Sequence, residues 1–456
     1  YAKIVADNTV RLLLSVKKAS FSLSQSSGVS LPGYMHEPDY LGLDALTGAP
    51  GFGFIFGRND NVLDHAINGD WLTRDTTFNQ AYSERFNESY NYKVVLEPFQ
   101  NFKIDISGTR SYVENFSEYF RYDAYGEFRT YTPSNGGNFN ISHLMTATSF
   151  MDGEELFQNM LNNRLDIAMR LANENQAWLD LGSPMVYDSI GKGYFPYGYA
   201  ANSQDVLIYS FLAAYSGQGT DEVELSLFRK IALPNWTVNF TGLTKIPALK
   251  KIFKTINITH SYKSSYSISS WATNLNYDEN NTMLMYDGTN QRVPQYDMAQ
   301  IVLSEQYAPL IGIKLAFNNN LSPSLDFKKS RTVTISFINN QLTEAEGREI
   351  IIGCGYTFKD FGAAFSSSNK SSDLTMKLDI GFRKDKTTLR SVDENYSQIS
   401  SGQNKVNIYL TGDYDFSERL GMQAFFRYDM TDPFIANSFK TSNTFAGVTL
   451  RFSLTQ

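Results

Sequence analysis

The stretch Lys405-Val-Asn-Ile-Tyr-Leu-Thr-Gly-Asp-Tyr-Asp-Phe416 decides the fold. Its even positions are Val406, Ile408, Leu410, Gly412, Tyr414 and Phe416, and its odd ones are polar apart from Tyr409. Ser417-Glu418 makes a tight polar turn, and the alternation resumes with Leu420, Met422, Ala424, Phe426, Tyr428 and Met430. The last segment repeats it with Ala446, Val448, Leu450, Phe452 and Leu454. Of the 17 positions on these three faces 16 are hydrophobic and none is charged, far beyond what a 42% hydrophobic background gives by chance. A period of two means strands with one apolar and one polar face.

Two environments produce such a face, a soluble core and a lipid bilayer. Three features favour the bilayer. The strands run about 12 residues, twice the usual soluble length and close to the 9–11 that cross a membrane at a tilt. The apolar face is uncharged, as it must be where a Lys or Arg at mid-bilayer costs roughly 2–4 kcal/mol. Tyr and Phe stand near the ends of the apolar faces, where interfacial girdles belong.

The same alternation recurs upstream at Leu374–Phe382, Ile350–Phe358, Val333–Phe337 and Ile311–Phe317. It is also present at Ile256–Tyr262, Trp236–Phe240, Phe139–Met145, Phe102–Ile106, Tyr90–Leu96 and Val10–Val16. The expectation is an all-β, antiparallel transmembrane β-barrel with about thirteen strands in this chain. Its organisation reads as a barrel strand in 1–24, a long Gly/Pro/aromatic loop in 25–82 over the lumen or rim, and barrel strands in 83–151. A partly helical insertion follows in 152–231, then C-terminal barrel strands in 232–456. In the insertion, Asp152 and Glu155 form a capping box before Leu156, and a second helix runs from Asp205 to Tyr215 between Ser203 and Gly217. Thr220 is the expected cap of a third, short helix. The basic segment Lys245–Lys254 reads as an amphipathic turn, at a headgroup surface or simply solvated. If the C-terminus is periplasmic, Ser417-Glu418 is a periplasmic turn and segments 431–443 and 385–403 are outer loops.

Composition agrees. Charged residues are 19%, Phe and Tyr number 33 and 28, and Gly 31. No apolar run is long enough for a transmembrane helix, and aromatics are too plentiful for disorder. A net charge of −7 gives no support for nucleic-acid binding. Cys354, the only cysteine, has no intrachain partner for a disulfide. The chain begins Tyr1-Ala-Lys-Ile without Met or a signal region, which reads as a processed or partial protein.

No motif points to chemistry. His36, His65, His143 and His260 share no ligand spacing. Gly51-Phe-Gly-Phe-Ile-Phe-Gly57 lacks dinucleotide-loop spacing, and Gly191-Lys192-Gly193 lacks the rest of a phosphate loop. There is no Gly-x-Ser-x-Gly elbow. Asp278-Glu-Asn-Asn281 reads as a solvated acidic loop rather than a calcium site. The expectation is therefore no catalytic residue, no metal and no cofactor.

Several segments resemble the C-terminal region of the SprA/Sov family, the outer-membrane translocons of the type IX secretion system. They are Ala232–Pro247 running into Lys250–Tyr262, Ser203–Ile208 with Phe211–Gln218, Leu31-Pro-Gly-Tyr34, and Gly51–Gly57. The resemblance implies a very long chain forming one of the largest single-chain barrels, of which this would be the C-terminal part. It implies export of folded cargo proteins across the outer membrane, with a PorV-like barrel protein at a lateral opening and a separate periplasmic plug protein. Outer-membrane lipid would surround the wall, and 152–231 would be a cap or rim element. Granted that role, the candidate gating loop is Gly48, Pro50, Gly51, Phe52, Gly53, Phe54, Phe56 and Gly57, where glycines permit hinge motion and aromatics fill space. The main competitor is a complete small-molecule transporter or porin of about fourteen strands, with 25–82 as its plug. An outer-membrane barrel enzyme and a soluble β-rich adhesin are the remaining readings.

Overall fold

Asn101, Asn320, Asn340 and Asn395 all have positive φ, between 48° and 69°, and each sits in the turn of a β-hairpin. Asparagine is the side chain that enters the left-handed region most readily after glycine, so tight antiparallel connections are written into the sequence at these points. A computed structural model describes residues 15–37, 39–56, 62–286, 288–361, 372–417, 420–435 and 438–453. Val10, Leu12 and Leu14 of the first expected strand, together with Gly57, Glu418 and Leu454, lie outside the described residues.

The chain is all-β and antiparallel. Its strands are β1 (Val16–Ser30), β2 (Ala81–Phe99), β3 (Phe102–Tyr122), β4 (Phe128–Ser142), β5 (Met185–Asp188), β6 (Gly193–Pro196), β7 (Asn235–Phe240) and β8 (Phe253–Thr273). They continue with β9 (Tyr296–Phe317), β10 (Leu321–Ser336), β11 (Gln341–Phe361), β12 (Ser372–Ser391), β13 (Tyr396–Asp415), β14 (Leu420–Pro433) and β15 (Thr441–Phe452). Thirteen of them form one sheet in the order β1-β2-β3-β4-β8 and on through β15, while β5 and β6 form a separate hairpin. Helices are α1 (Phe52–Ile55), α2 (Val62–Asn68), α3 (Gly153–Asn173), α4 (Gln176–Asp180), α5 (Gln204–Ser216) and α6 (Pro247–Lys250).

β7 lies off the sequential path because it completes β4. One end of β3 pairs with β4 through Arg110–Tyr122, and the other pairs with β7 through Phe102–Ser107. β8 does the same on the far side. The two short strands therefore share one position in the sheet, broken where 143–234 leaves it. The seam is closed by Leu233 N–H to Ser142 O at 3.0 Å and Asn235 Nδ2 to Ser142 Oγ at 3.1 Å. The insertion thus interrupts one strand position rather than joining two complete strands.

Other boundaries differ from expectation for stated reasons. Residues 25–30 belong to β1, where Ser and Gln carry no apolar alternation but pair in register with β2. Segment 385–403 is a protruding hairpin of β12 and β13 around a short turn at 392–395, not a loop, because its strands continue past the apolar stretch with polar side chains on both faces. Thr220 caps no helix; residues 220–222 are a turn and 223 a bend, and Arg170 binds the Thr220 carbonyl instead. α3 begins at Asp152, whose side chain accepts from Glu154 N–H at 2.9 Å, and α5 ends at Gly217 with φ 68°.

Candidate functional site

Register turns the separate alternations into one surface. Ile313 opposes Leu325, which opposes Ile352, then Ile380, Ile408 and Tyr428 in turn. On the other side, Val94 opposes Ile106, which opposes Trp236, and Ile258 opposes Ile313. The result is an apolar belt from β1 to β15 whose face holds no Asp, Glu, Lys or Arg over the stretch typified by Leu374–Phe382. These side chains are open to the surroundings: Ile352 is 50% exposed, Phe382 48% and Val448 62%. A belt this continuous and this exposed is what lipid, rather than a soluble core, covers.

One border of the belt is aromatic. Phe99 stacks on Phe102 at 4.8 Å, Phe102 meets Phe240 at 5.8 Å, and Phe253 meets Phe317 at 4.5 Å. Tyr356, Phe358, Phe361, Tyr414 and Phe416 continue the chain of rings. This is the girdle expected at a membrane–water boundary. The turns beyond it are mostly short, whereas the opposite end carries 31–80, 143–234 and 274–295. At the girdle end the basic segment folds as a 3₁₀ turn at Gly242–Lys245 followed by α6, beside the rings.

The other face of the same strands is polar. Lys103 pairs with Asp105 at 2.8 Å, Lys328 with Glu349 at 3.0 Å, and Asn407 donates to Asp429 at 2.6 Å. Small residues are required where side chains of neighbouring strands crowd. A Cβ on Gly353 would come within 2.4 Å of Ser324 Oγ and 2.5 Å of Asp379 Oδ1. Among the described residues, neither long segment lies on this face.

Both segments instead pack on the belt side, beyond the belt. Val62, Leu63, Ala66 and Leu72 of the first segment form a cluster with Tyr82 and Phe120, whose register places them on the same face as Val94 and Ile106. Within that segment, Phe54 of the candidate gating residues packs against the cluster, while Phe52 and Phe56 are exposed and stack at 6.3 Å. Gly48 and Gly51 have φ of 68° and 91°, and Gly53 lies in α1. Pro50 follows buried Ala49. Nearby, the Thr47 and Leu46 backbone N–H groups hold the Asp44 carboxyl at about 2, and His36 Nδ1 lies 3.0 Å from it.

The insertion is fastened to the strand extensions by an apolar cluster and by buried polar bolts. Leu156, Phe157, Phe211 and Tyr215 pack with Ile268, Leu303, Val333 and Leu342. Arg390 of β12 pairs with Glu344 of β11 at 2.9 Å and with Glu154 of α3. Arg331 and Glu305, both 1% exposed in their side chains, lie 3.8 Å apart, with Arg331 donating to Thr148 Oγ1 and Ser149 donating to Glu305. His143 is buried just past β4, its Nε2 2.7 Å from Ser216 Oγ and its Nδ1 3.3 Å from Arg229. Burial, with the Arg229 charge, pushes its pKa down to about 3. His260 instead sits in the belt with Nδ1 2.6 Å from Leu310 O. Among the described residues no three His, Cys, Asp or Glu side chains converge as a metal site would require. These bolts escape sequence reading because their partners are up to 236 residues apart.

No protein-family model matches the chain, and no curated protein does. Among solved structures, it is similar to OmpT (in-vitro folded), an outer membrane protein of Vibrio cholerae in its trimer form. The two are 9% identical, with 82% of this chain and 96% of that one covered and a TM-score of 0.21. A likeness that weak decides nothing about this chain.

Proposed function

We propose that this chain forms a section of the wall of a protein-conducting barrel in the bacterial outer membrane, the translocon of a type IX secretion system. The observation that carries the reading is the pair of open edges. Among the described residues β1 pairs only with β2 and β15 only with β14, yet the belt reaches both, through Ala19 and Phe21 on β1 and through Ala446, Val448, Leu450 and Phe452 on β15. A closed barrel has no such edges, and an exposed edge of this length in isolation invites aggregation. Further wall strands, or a PorV-like barrel docked at a lateral opening, would satisfy them.

The uncovered polar face supports a wide lumen. A small-solute transporter would hold its plug there, whereas 31–80 lies on the opposite face. A lumen that passes folded cargo needs hydrated, weakly adhering walls, which Asn, Ser, Thr and paired charges supply. The wall hydrolyses nothing, so energy and closure come from other envelope components, including a periplasmic plug protein. Residues 48–56 sit at the rim, where movement of Phe52 and Phe56 would alter the mouth rather than the bore.

The test is secretion itself. Removing the gene from its host is expected to leave folded cargo in the periplasm, and restoring the full chain to return cargo to the surface. Normal surface delivery in its absence would end the reading.

A further inference from the structure

Directly past the belt, at the insertion end, the belt face changes character in a single step. The last apolar row there includes Phe327, Ile350 and Phe382. The next row on the same three strands is Lys329, Arg348 and Lys384. Lys329 opposes Arg348, and Arg348 opposes Lys384, so three cations lie side by side across strands about 4.8 Å apart. Like charges placed directly opposite each other destabilise a sheet. An anion bound between them removes that penalty.

The neighbourhood does not neutralise the row. Among the described residues none of the three makes an ion pair. Lys329 is buried with its ammonium 4.3 Å from the Phe150 ring centroid, and Lys384 lies 5.4 Å from that of Phe434. Arg348 is exposed. The carboxylates one row farther out are engaged: Glu346 holds Lys386 at 3.2 Å, and Glu305 faces Arg331. Asp432 shares the row but stands two strands beyond Lys384, across Asn404.

We propose that Arg348 and Lys384, backed by Lys329, bind the phosphate of an anionic lipid headgroup. The row stands where the apolar belt meets water, which is headgroup depth, and phosphate is the anion a guanidinium and two ammoniums recognise there. Phe150 and Phe434 flank it as interfacial rings do. The inference rests on the membrane-wall reading and names one lipid contact of that wall.

The test uses the full chain in phosphatidylcholine vesicles containing lipid A, either bis-phosphorylated or dephosphorylated, with retained lipid measured by native mass spectrometry after extraction. Wild type is expected to retain the phosphorylated form on the order of 20-fold better than R348Q/K384Q, about fivefold per cation removed. R348K is expected to keep most of the binding. Equal retention by wild type and double variant, or of both lipids by wild type, overturns the proposal. So does displacement by millimolar inorganic phosphate, which would mark a free-phosphate site. Protease protection of the belt strands is read in the same vesicles. Loss of protection sinks the wall reading and this inference together, whereas protection with unchanged lipid retention sinks only the inference.

Discussion

Leu378 stands near the middle of the belt, between Cys354 on one neighbouring strand and Leu410 on the other. Asp379, the next residue, faces the polar side near Gly353. Leu378→Lys is expected to destabilise the wall in bilayers by about 2–4 kcal/mol, whereas Asp379→Lys costs far less. Urea unfolding in vesicles checks both, and equal costs would mean that the two faces are not lipid and water. A second residue reports on pH. His143 is neutral in the fold because its pKa lies near 3, while an unfolded histidine titrates near 6.5. The unfolded chain therefore binds a proton that the native one refuses. The native state is at full strength above pH 6.5 and loses about 1.4 kcal/mol per unit as pH falls below it, down to the native pKa. His143→Gln is expected to flatten this acid limb, which denaturation between pH 7 and 4 would show. An unchanged limb would place the proton uptake elsewhere.

At the scale of elements, the insertion behaves as a body bolted to the strand extensions. Arg390→Ala leaves Glu344 buried without its cation and removes the anchor of Glu154, a loss of about 3–5 kcal/mol at that joint. Limited proteolysis is expected to cut α3 faster while the belt strands stay protected. R390M/E344L is expected to recover much of the loss, since packed apolar side chains serve as well as a buried pair. Unaltered cleavage in R390A would mean that apolar packing alone holds the insertion. The same bolts explain what the sequence does and does not reveal. The belt is legible in Val406–Phe416 and Leu374–Phe382 because lipid forces strict alternation. Beyond the belt the same strands carry Lys329, Arg331, Glu344 and Arg390 on that face, so the alternation of apolarity is interrupted, resuming only where Val333, Ile335 and Leu342 pack under the insertion, although the strand itself runs on. That is why 385–403 reads as a loop and the strands as about 12 residues, while β9 runs for 22. Asp152 and Gly217 mark their helices because capping is local, whereas Ser203 holds the N-cap position of α5 without a side-chain cap bond. The shared position of β4 and β7 has no local mark, since its two halves are joined only through β3 and β8. Likewise, the placement of 31–80 on the belt side depends on Tyr82 and Phe120, which gain meaning only from register.

At the scale of the molecule, the thirteen strands form a wall with a lipid-facing belt, a bare polar face and two unpaired edges. Closing it within this chain would require β1 and β15 to find partners that the described residues do not supply. The measurement that tests this most directly is the mass of the native polypeptide, extracted from outer membrane in detergent and run under denaturing conditions. The account predicts a band several times larger than the 51.5 kDa of this chain, the remaining wall strands being part of the same polypeptide. A native band at 51.5 kDa would contradict it and point to a barrel that closes within these residues, sized for small molecules rather than folded cargo.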